Sequence, residues 1–290
     1  MYDITKNLIP IKAENALYVV ATPIGNLFDI TIRALQTLIA VDEIICEDTR
    51  VSNILLDKFK ITNKKLIVYN DFSDAECREK ILNKLLTGNS LALVSDAGTP
   101  IISDIGYKLV NFLRQQQQKI IPIPGPSALT AAICVSGIAA DNFLFLGFLP
   151  TVDKQKIETL KFVPSYYSFV FYESANRIVK TLKTLQDLFS QRRLCIAREL
   201  TKIHEEVVSG SVDEVMDFFT HNAEKIRGEF VVIVEKQQKK QQNFTHESLI
   251  AEIKKLLNEN KSVKDIALEL AGVFDIHKKE LYKIILSQIK

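Results

Sequence analysis

Short apolar runs alternate with amphipathic segments along the first half of the chain. The runs at residues 17–21 and 91–94 have the length of strands that are buried on both faces of a parallel sheet. Segments such as residues 31–41 and 75–86 carry apolar residues at helical spacing instead. This alternation predicts an α/β domain with a parallel sheet and right-handed crossovers.

Further strands of this sheet are predicted at residues 43–46, 66–69 and 120–123. The strand at 91–94 runs into a loop of small residues, where Gly98 allows close approach of a ligand and Pro100 stiffens the exit. We expect Asp104 to cap the helix that begins near Gly106.

The second half of the chain predicts a different topology, with strands more closely spaced. We expect a mixed sheet in a second α/β domain, in which the strands at 194–198 and 205–209 form a hairpin. The other strands predicted there cover residues 143–148, 168–172 and 229–234.

A polar segment at residues 236–243 predicts a linker, and three short amphipathic helices follow it. We therefore divide the chain into an N-terminal domain (1–125), a second domain (126–235) and a linker with a helical tail (236–290). The tail holds 11 Lys and 7 acidic residues, whereas the chain as a whole has a net charge of only +2. That small charge by itself does not indicate a nucleic-acid-binding protein.

Composition adds few restrictions. Hydrophobic residues make up 47% and charged residues 25% of the chain, which is typical of a globular protein. The four cysteines are scattered without metal-ligand spacing, so we expect free thiols and no metal site. No apolar run is long enough for a membrane span and the start lacks a signal-peptide pattern, so we expect a cytoplasmic protein without membrane contact.

Four loops follow strands that end at the same edge of the first sheet, where α/β proteins bind ligands. They cover residues 22–27, 48–50, 96–100 and 124–127. None contains a Walker sequence or a GxGxxG fingerprint. Their small residues, backbone donors and few carboxylates favour a partly zwitterionic ligand over a polyphosphate, although each loop alone is also compatible with a plain turn.

Seven motifs in this order resemble the tetrapyrrole-methylase superfamily, and within it the branch that acts on small-subunit ribosomal RNA. They are TPIGNLFDIT, CEDTR, LVSDAGTPIISDIG, PIPGPSAL, FYESANRI, RELTKIHEEVVSG and RGEFVVIVE, and they span residues 16–235. The resemblance implies two α/β domains with S-adenosylmethionine in the cleft between them, and a homodimer. It also implies 2′-O-methylation of a decoding-centre cytidine in 16S rRNA, with the 30S subunit as the partner.

Matching the motifs residue by residue implies a cofactor site drawn from both domains. The implied residues are Pro23, Gly25, Ala97, Gly98, Thr99, Ile102, Ser127, Ala128, Glu173, Leu200 and Phe230. Tetrapyrrole-modifying members carry Asp at the positions of Asn26 and Thr99, which argues against a tetrapyrrole substrate here. Two alternatives stay open: methylation of a tetrapyrrole or another RNA, and a cofactor-binding ribosome-assembly factor.

Methyl transfer from a sulfonium to a ribose hydroxyl requires alignment and benefits from a general base. Asp48 and Glu173 are the candidates for the base, and Arg50 for orienting them or holding phosphate. Asp48 is equally consistent with a helix cap beside Thr49. Arg177 is either a phosphate contact or the ion-pair partner of Glu173 one turn earlier.

Remaining polar and aromatic residues in these motifs have structural alternatives. Glu199 and Glu229 are interpreted as possible domain-joining carboxylates, His204 as a satisfied strand residue, and Tyr172 as core rather than a stacking platform. The tail lysines are candidates for contact with the RNA backbone. They are Lys254, Lys255, Lys278, Lys279 and Lys283. The alternative for the tail is a solvated helical cap.

Overall fold

The computed structural model describes residues 8–70, 73–237, 246–259, 261–274, 276 and 278–288, without the side chains of 246–248 and 272–274. The chain divides into two compact units, Met1–Gln237 and Gln238–Lys290. The larger unit contains two five-stranded sheets, and the smaller contains three helices. The predicted class, two α/β domains and a helical tail, is confirmed.

The first sheet is parallel, with strand order β3-β2-β4-β1-β5. Its strands are β1 (Leu17–Val20), β2 (Glu43–Cys46), β3 (Lys65–Val68), β4 (Leu91–Leu93) and β5 (Ile120–Ile123). The helices between them are α1 (Ile32–Ala40), α2 (Thr49–Lys58), α3 (Ala75–Leu86) and α4 (Tyr107–Gln115). β5 lies at the edge of the sheet, where Pro122 can be tolerated without a backbone donor.

Alternate residues of each strand enter two different cores, which explains the continuous apolar runs in the sequence. Tyr18 and Ala92 pack with α1 and α2, whereas Leu17 and Leu93 pack with α3 and α4. Since both faces are covered by helices, neither face needs polar residues.

Side-chain caps start three of these helices, at Thr31, Asp48 and Asp74. The fourth differs from our expectation. α4 is preceded by Gly106, which adopts a left-handed φ of 115° and has no side chain to act as a cap. Asp104 was wrongly predicted as the cap, because its carboxylate accepts a hydrogen bond from the adjacent backbone N–H of Ile105 instead.

The second sheet has the order β6-β7-β10-β8-β9, in which only β6 and β7 run parallel. Its strands are β6 (Phe143–Phe148), β7 (Ser168–Ser174), β8 (Arg193–Arg198), β9 (Glu206–Ser211) and β10 (Glu229–Val234). The predicted mixed sheet and the β8–β9 hairpin are therefore confirmed. The helices of this half are α5 (Ala128–Ser136), α6 (Asp153–Lys161), α7 (Ala175–Phe189) and α8 (Val212–His221). The sequence analysis gave no bounds for these four helices.

Helices also cover both faces of the second sheet. α6, α7 and α8 pack on one face through residues such as Leu160, Leu182 and Val215. α5 packs on the other face around Ala132, in a core that also receives Ile24 from the first half of the chain. The predicted domain division at 125/126 falls between β5 and α5, and it stays a prediction.

The smaller unit consists of α9 (His246–Asn258), α10 (Val263–Phe274) and α11 (Lys278–Gln288), as the sequence predicted. Its own apolar core includes Leu249, Ile266 and Leu281. Ser262 caps α10, accepting a hydrogen bond from the backbone N–H of Asp265. Most of the predicted linker lies outside the described residues.

The four cysteines are free thiols. Among the described residues, no group of His, Cys, Asp and Glu has the arrangement of a metal site. None of the described helices is both long and apolar enough to cross a bilayer.

Candidate functional site

The main cavity, of about 440 Å³, lies between the carboxyl edge of the first sheet and the second sheet. Parallel strands bring the loops after β1 and β4 to this edge, and the ends of β7, β8 and β10 face them. The cavity is lined by Ile24, Glu47, Asp96, Ala97, Gly98, Thr99, Ile102, Ser103, Asp104, Ile105, Ser127, Ala128, Phe148, Tyr172, Glu173, Glu199, Leu200, Lys202, Glu229, Phe230 and Val231.

The loops of the first sheet are fastened to one another through their backbones. Thr22 and Gly98 exchange two backbone hydrogen bonds of 2.8 and 3.0 Å. Gly98 has a φ of +81°, and a Cβ placed on it would lie 3.3 Å from Cγ2 of Ile24. The hydroxyl of Thr99 donates to the carbonyl of Pro126 at 3.0 Å, which links the β4 loop to the start of α5. These contacts fix the floor of the cavity.

On the opposite wall, the Glu199 carboxylate rests directly on the backbone of Gly228. A Cβ on Gly228 would lie 1.9 Å from Oε1 of Glu199, and Gly228 itself has a φ of +74°. Glu199 adopts a left-handed φ of 49°, which is unfavourable for a residue with a Cβ. Its Oε1 accepts hydrogen bonds from Nζ of Lys202 at 2.9 Å and from the backbone N–H of Glu229 at 3.4 Å.

The two halves of the large unit touch where the loop after β1 meets the loop after β8. The backbone N–H of Asn26 donates to Oγ1 of Thr201 at 3.0 Å. A Cβ on Gly25 would lie 2.5 Å from Cγ of Lys202 and 3.0 Å from the carbonyl oxygen of Leu200. Glycine is therefore required at position 25 because the two loops approach too closely for a side chain.

Carboxylates dominate the charge of the cavity. Its lining contains six acidic residues and a single lysine, with no arginine among them. Such a lining attracts a cationic ligand and disfavours a polyphosphate. The acidic residues are Glu47, Asp96, Asp104, Glu173, Glu199 and Glu229.

Asp96 lies in the motif LVSDAGTPIISDIG, but the sequence analysis gave it no role. Its Oδ1 accepts a hydrogen bond from the backbone N–H of Asp48 at 3.2 Å. Burial raises the pKa of Asp96 above its usual range, and the neighbouring Asp48 carboxylate acts in the same direction. Asp96 lines both the main cavity and a second, apolar pocket of about 90 Å³.

Asp48 lies just outside the cavity lining, at the N-terminus of α2. Its carboxylate caps the helix and forms an ion pair with Arg50 at 2.6 Å, so the capping alternative describes its geometry. Hydrogen bonding from the Arg50 side chain lowers the pKa of Asp48 to about 2. A carboxylate with so low a pKa is a weak proton acceptor. The Arg50 side chain is 88% exposed.

Glu173 is completely buried at the end of β7 and belongs to a network of charged groups. Its Oε1 pairs with Nε of Arg177 at 3.1 Å, and its Oε2 accepts the Thr181 hydroxyl at 2.7 Å. The hydroxyl of Thr181 in turn accepts from Nζ of the buried Lys156 at 3.2 Å. Two cationic groups thus compensate the Glu173 carboxylate.

Most of the cofactor residues implied by resemblance come together in the cavity. Gly25 and Pro23 do not line it: Pro23 lines the apolar pocket beside Asp96, and Gly25 lines an outer groove. The cavity lining contains the others, namely Ala97, Gly98, Thr99, Ile102, Ser127, Ala128, Glu173, Leu200 and Phe230. Their predicted binding roles stay predictions.

The predicted RNA contacts belong to both units. Arg177 forms the ion pair with Glu173, which is one of its two predicted roles, and it also donates to the carbonyl of Leu149 at 2.6 Å. The tail lysines lie on α9 and α11 of the smaller unit, and one of them, Lys255, pairs with Glu252. All five of these lysines are exposed, namely Lys254, Lys255, Lys278, Lys279 and Lys283.

The assignment of His204 is wrong, and that of Tyr172 is confirmed in part. His204 was wrongly predicted as a strand residue: it is exposed in the loop between β8 and β9, because the hairpin connection extends to residue 205. Tyr172 is partly buried and packs against the apolar core around Ala132. It lines the cavity beside Phe148, with ring centroids 5.5 Å apart.

Comparison with known proteins agrees with this geometry. The family model described as Tetrapyrrole (Corrin/Porphyrin) Methylases matches residues 16–216. A protein of Rickettsia prowazekii (strain Madrid E) named "Ribosomal RNA small subunit methyltransferase I" is 42% identical over 279 residues, covering 94% of this chain and 96% of that protein. A protein of the same name from Escherichia coli O157:H7 is 37% identical and covers 96% of both chains.

Solved structures match in fold. A cobalt precorrin-4 methyltransferase superposes with a TM-score of 0.57 at 16% identity, covering 79% of this chain and 98% of that one. The uroporphyrin-III C-methyl transferase of Thermus thermophilus, complexed with S-adenyl homocysteine, gives a TM-score of 0.53 at 17% identity and covers 77% and 98% of the two chains. With its seven motifs, its paired sheets and these relatives, the chain belongs to the tetrapyrrole methylase family, in the branch formed by the ribosomal RNA small subunit methyltransferases I.

Proposed function

We propose that the chain uses S-adenosylmethionine to methylate a ribose 2′-hydroxyl of small-subunit ribosomal RNA. The proposed target is a cytidine in the decoding centre of 16S rRNA within the 30S subunit. The name of these relatives supports the choice of small-subunit ribosomal RNA and methyl transfer. The observation that carries the proposal is the acidic cavity between the two sheets.

The residues of the cavity fit S-adenosylmethionine, whose sulfonium and ammonium groups are positive. Glu199 and Glu229 place carboxylates on one wall, and the small residues Ala97, Gly98 and Ala128 leave room on the other. S-adenosylmethionine supplies a methyl group on a sulfonium that is a good leaving group. The protein's task is therefore mainly to hold and align the two reactants.

We propose Asp96 as the group that accepts the proton of the ribose hydroxyl. It lines both the cavity and the adjoining apolar pocket, and burial raises its pKa toward the range useful for a base. The backbone N–H of Asp48 holds the carboxylate of Asp96 in place, and the Asp48–Arg50 pair fixes that segment at the start of α2. This assigns positioning roles to Asp48 and Arg50, which the sequence had suggested as catalytic.

Glu173 has a different proposed role. Its carboxylate is held by Arg177 and Thr181, and it fixes the end of β7, which forms one wall of the cavity. Because both carboxylate oxygens already accept hydrogen bonds, Glu173 is a less suitable proton acceptor than Asp96. We propose that it positions the wall against the cofactor.

The test is methyl transfer from labelled S-adenosylmethionine to purified 30S particles, to naked 16S rRNA and to uroporphyrinogen. The proposal expects label in ribose of the particle's RNA. Label in the tetrapyrrole, or none in any RNA, would contradict it. Among the variants, Asp96→Asn should lower kcat about 10²- to 10⁴-fold with cofactor affinity retained. Asp48→Asn keeps a capping side chain and should lose much less activity.

The predicted homodimer and cytoplasmic location belong to the same proposal, since 30S particles are cytoplasmic. Light scattering at several protein concentrations measures the molar mass in solution, which for a homodimer is twice that of the chain. Fractionation of cells that express the protein tests its association with 30S particles.

A further inference from the structure

An open groove of about 680 Å³ adjoins the cavity on its outer side. The groove spans both halves of the large unit, and Lys202 lines the groove as well as the cavity. Its lining consists of Gly25, Asn26, Leu27, Phe28, Lys58, Thr201, Lys202, Ile203 and His204. A molecule bound there is next to the proposed cofactor site.

The walls of the groove are fixed relative to each other. One wall follows the loop after β1 and the other follows the loop after β8, and the bond from Asn26 N–H to Thr201 Oγ1 joins them. Gly25 lets them approach within a distance that no side chain would permit. The groove is thus formed before a ligand binds, which lowers the entropic cost of binding.

Two large apolar side chains of the groove are directed to solvent. Ile203 is 97% exposed at the tip of its loop, and Phe28 is 60% exposed on the facing wall. Nζ of Lys58 lies 4.9 Å from the centroid of the Phe28 ring, and the rings of Phe28 and Phe59 pack edge to face. An exposed aromatic ring beside an ammonium group is typical of surfaces on which nucleobases stack.

The charge of the groove is opposite to that of the cavity. Its described lining includes Lys58, Lys202 and His204, and none of those lining residues is acidic. Lys202 shares its charge with Glu199, so Lys58 provides most of the attraction for an anion, and His204 adds ring nitrogens that can form hydrogen bonds with one. The carboxylate of the nearby Glu205 accepts the backbone N–H of Thr201.

We propose that this groove binds single-stranded RNA beside the nucleotide to be methylated. Phe28 and Ile203 would pack on bases, while Lys58 and His204 would face phosphates. This inference rests on the proposed function, which places the methyl group of the cofactor in the adjoining cavity. It is proposed in addition to the tail lysines that the sequence predicted, and it is continuous with the cavity.

The test compares a groove variant, Lys58→Glu with Ile203→Asp, with a control variant, Lys161→Glu with Phe162→Asp. The control makes the same change of charge at the end of α6, where Lys161 is exposed and the apolar side chain of Phe162 is 88% exposed. Binding of fluorescein-labelled single-stranded RNA is followed by anisotropy at several salt concentrations, and KM is measured with 30S particles. Calorimetry with S-adenosylhomocysteine and thermal unfolding report on the cofactor site and the fold.

We expect the groove variant to weaken RNA binding by about tenfold or more and to reduce its salt dependence. Its KM should rise, with cofactor affinity and unfolding temperature close to those of the control. RNA affinity and KM equal to the control's would overturn the proposal, even while the wild type still methylates 30S particles. If the wild type transfers no methyl group, but the groove variant loses RNA affinity and the control variant does not, then RNA binding in the groove is supported and the proposed function fails.

A single variant, Phe28→Ala, separates stacking from charge. It should weaken RNA binding about tenfold while leaving the salt dependence unchanged. Unchanged affinity for RNA would exclude base stacking on Phe28 and overturn that part of the proposal.

Discussion

Substitution of Gly228 by alanine separates the cost of backbone strain from the cost of displacing a cavity carboxylate. Gly228 has a φ of +74°, and its new Cβ would lie 1.9 Å from Oε1 and 2.4 Å from Cδ of Glu199. Gly137 provides a matched control. Its φ is +66°, and a Cβ there would have no atom within 4 Å.

In both variants a residue with a Cβ has to adopt a left-handed backbone, which lowers the free energy of unfolding by about 1–2 kcal/mol. Gly228→Ala also forces the Glu199 carboxylate away, which removes its hydrogen bond to the backbone of Glu229, a further cost of about 1 kcal/mol. The ion pair with Lys202 is partly exposed and adds little. We therefore expect losses of about 1–2 kcal/mol for Gly137→Ala and about 2–3 kcal/mol for Gly228→Ala.

The functional difference should be larger than the difference in stability. If Glu199 faces a positive group of the cofactor, losing that contact costs about 1.5–3 kcal/mol, or a roughly ten- to hundredfold weaker affinity. Urea unfolding measures the loss of stability, and calorimetry with S-adenosylmethionine, which carries both positive groups, measures the loss of affinity. Gly137→Ala should bind like the wild type. Equal stability and equal affinity of the two variants would refute the argument.

Two further predictions concern buried charge. Burial raises the pKa of Asp96, so ionising this carboxylate costs folding free energy. This cost is absent below the pKa of the unfolded chain and develops as the pH rises through the raised pKa of the folded protein. Asp96→Asn should therefore stabilise the protein near neutral pH but not at about pH 4, as measured by urea unfolding, and an equal effect at both pH values would contradict this. Thr181→Val removes the hydroxyl between Lys156 and Glu173 and should cost about 3 kcal/mol, whereas Thr181→Ser should cost only about 1 kcal/mol. Similar losses for the two Thr181 variants would show that the hydroxyl contributes little.

Local sequence determined the elements of both sheets. The runs at β4 and β10 predicted strands because their apolar side chains are buried, and Asp48 was recognised as a possible cap because a carboxylate before a helix can accept its free N–H groups. These properties depend on neighbours within a few residues. The bounds of α5 to α8 were not predicted. α5 is apolar around most of its circumference and α6 is mostly polar, so neither shows a one-sided apolar stripe at helical spacing.

Tertiary structure decided which groups meet at the site. Asp104 does not cap α4, because Gly106 can adopt the left-handed backbone that precedes the helix. The contact of Asn26 with Thr201 joins residues 175 positions apart. The Glu199 carboxylate, which follows β8, rests on Gly228, which precedes the neighbouring strand β10. Local patterns contain no information on such distances. The sign of charge in the cavity and in the groove is set by how loops from two sheets converge, and only the packing of those sheets determines it.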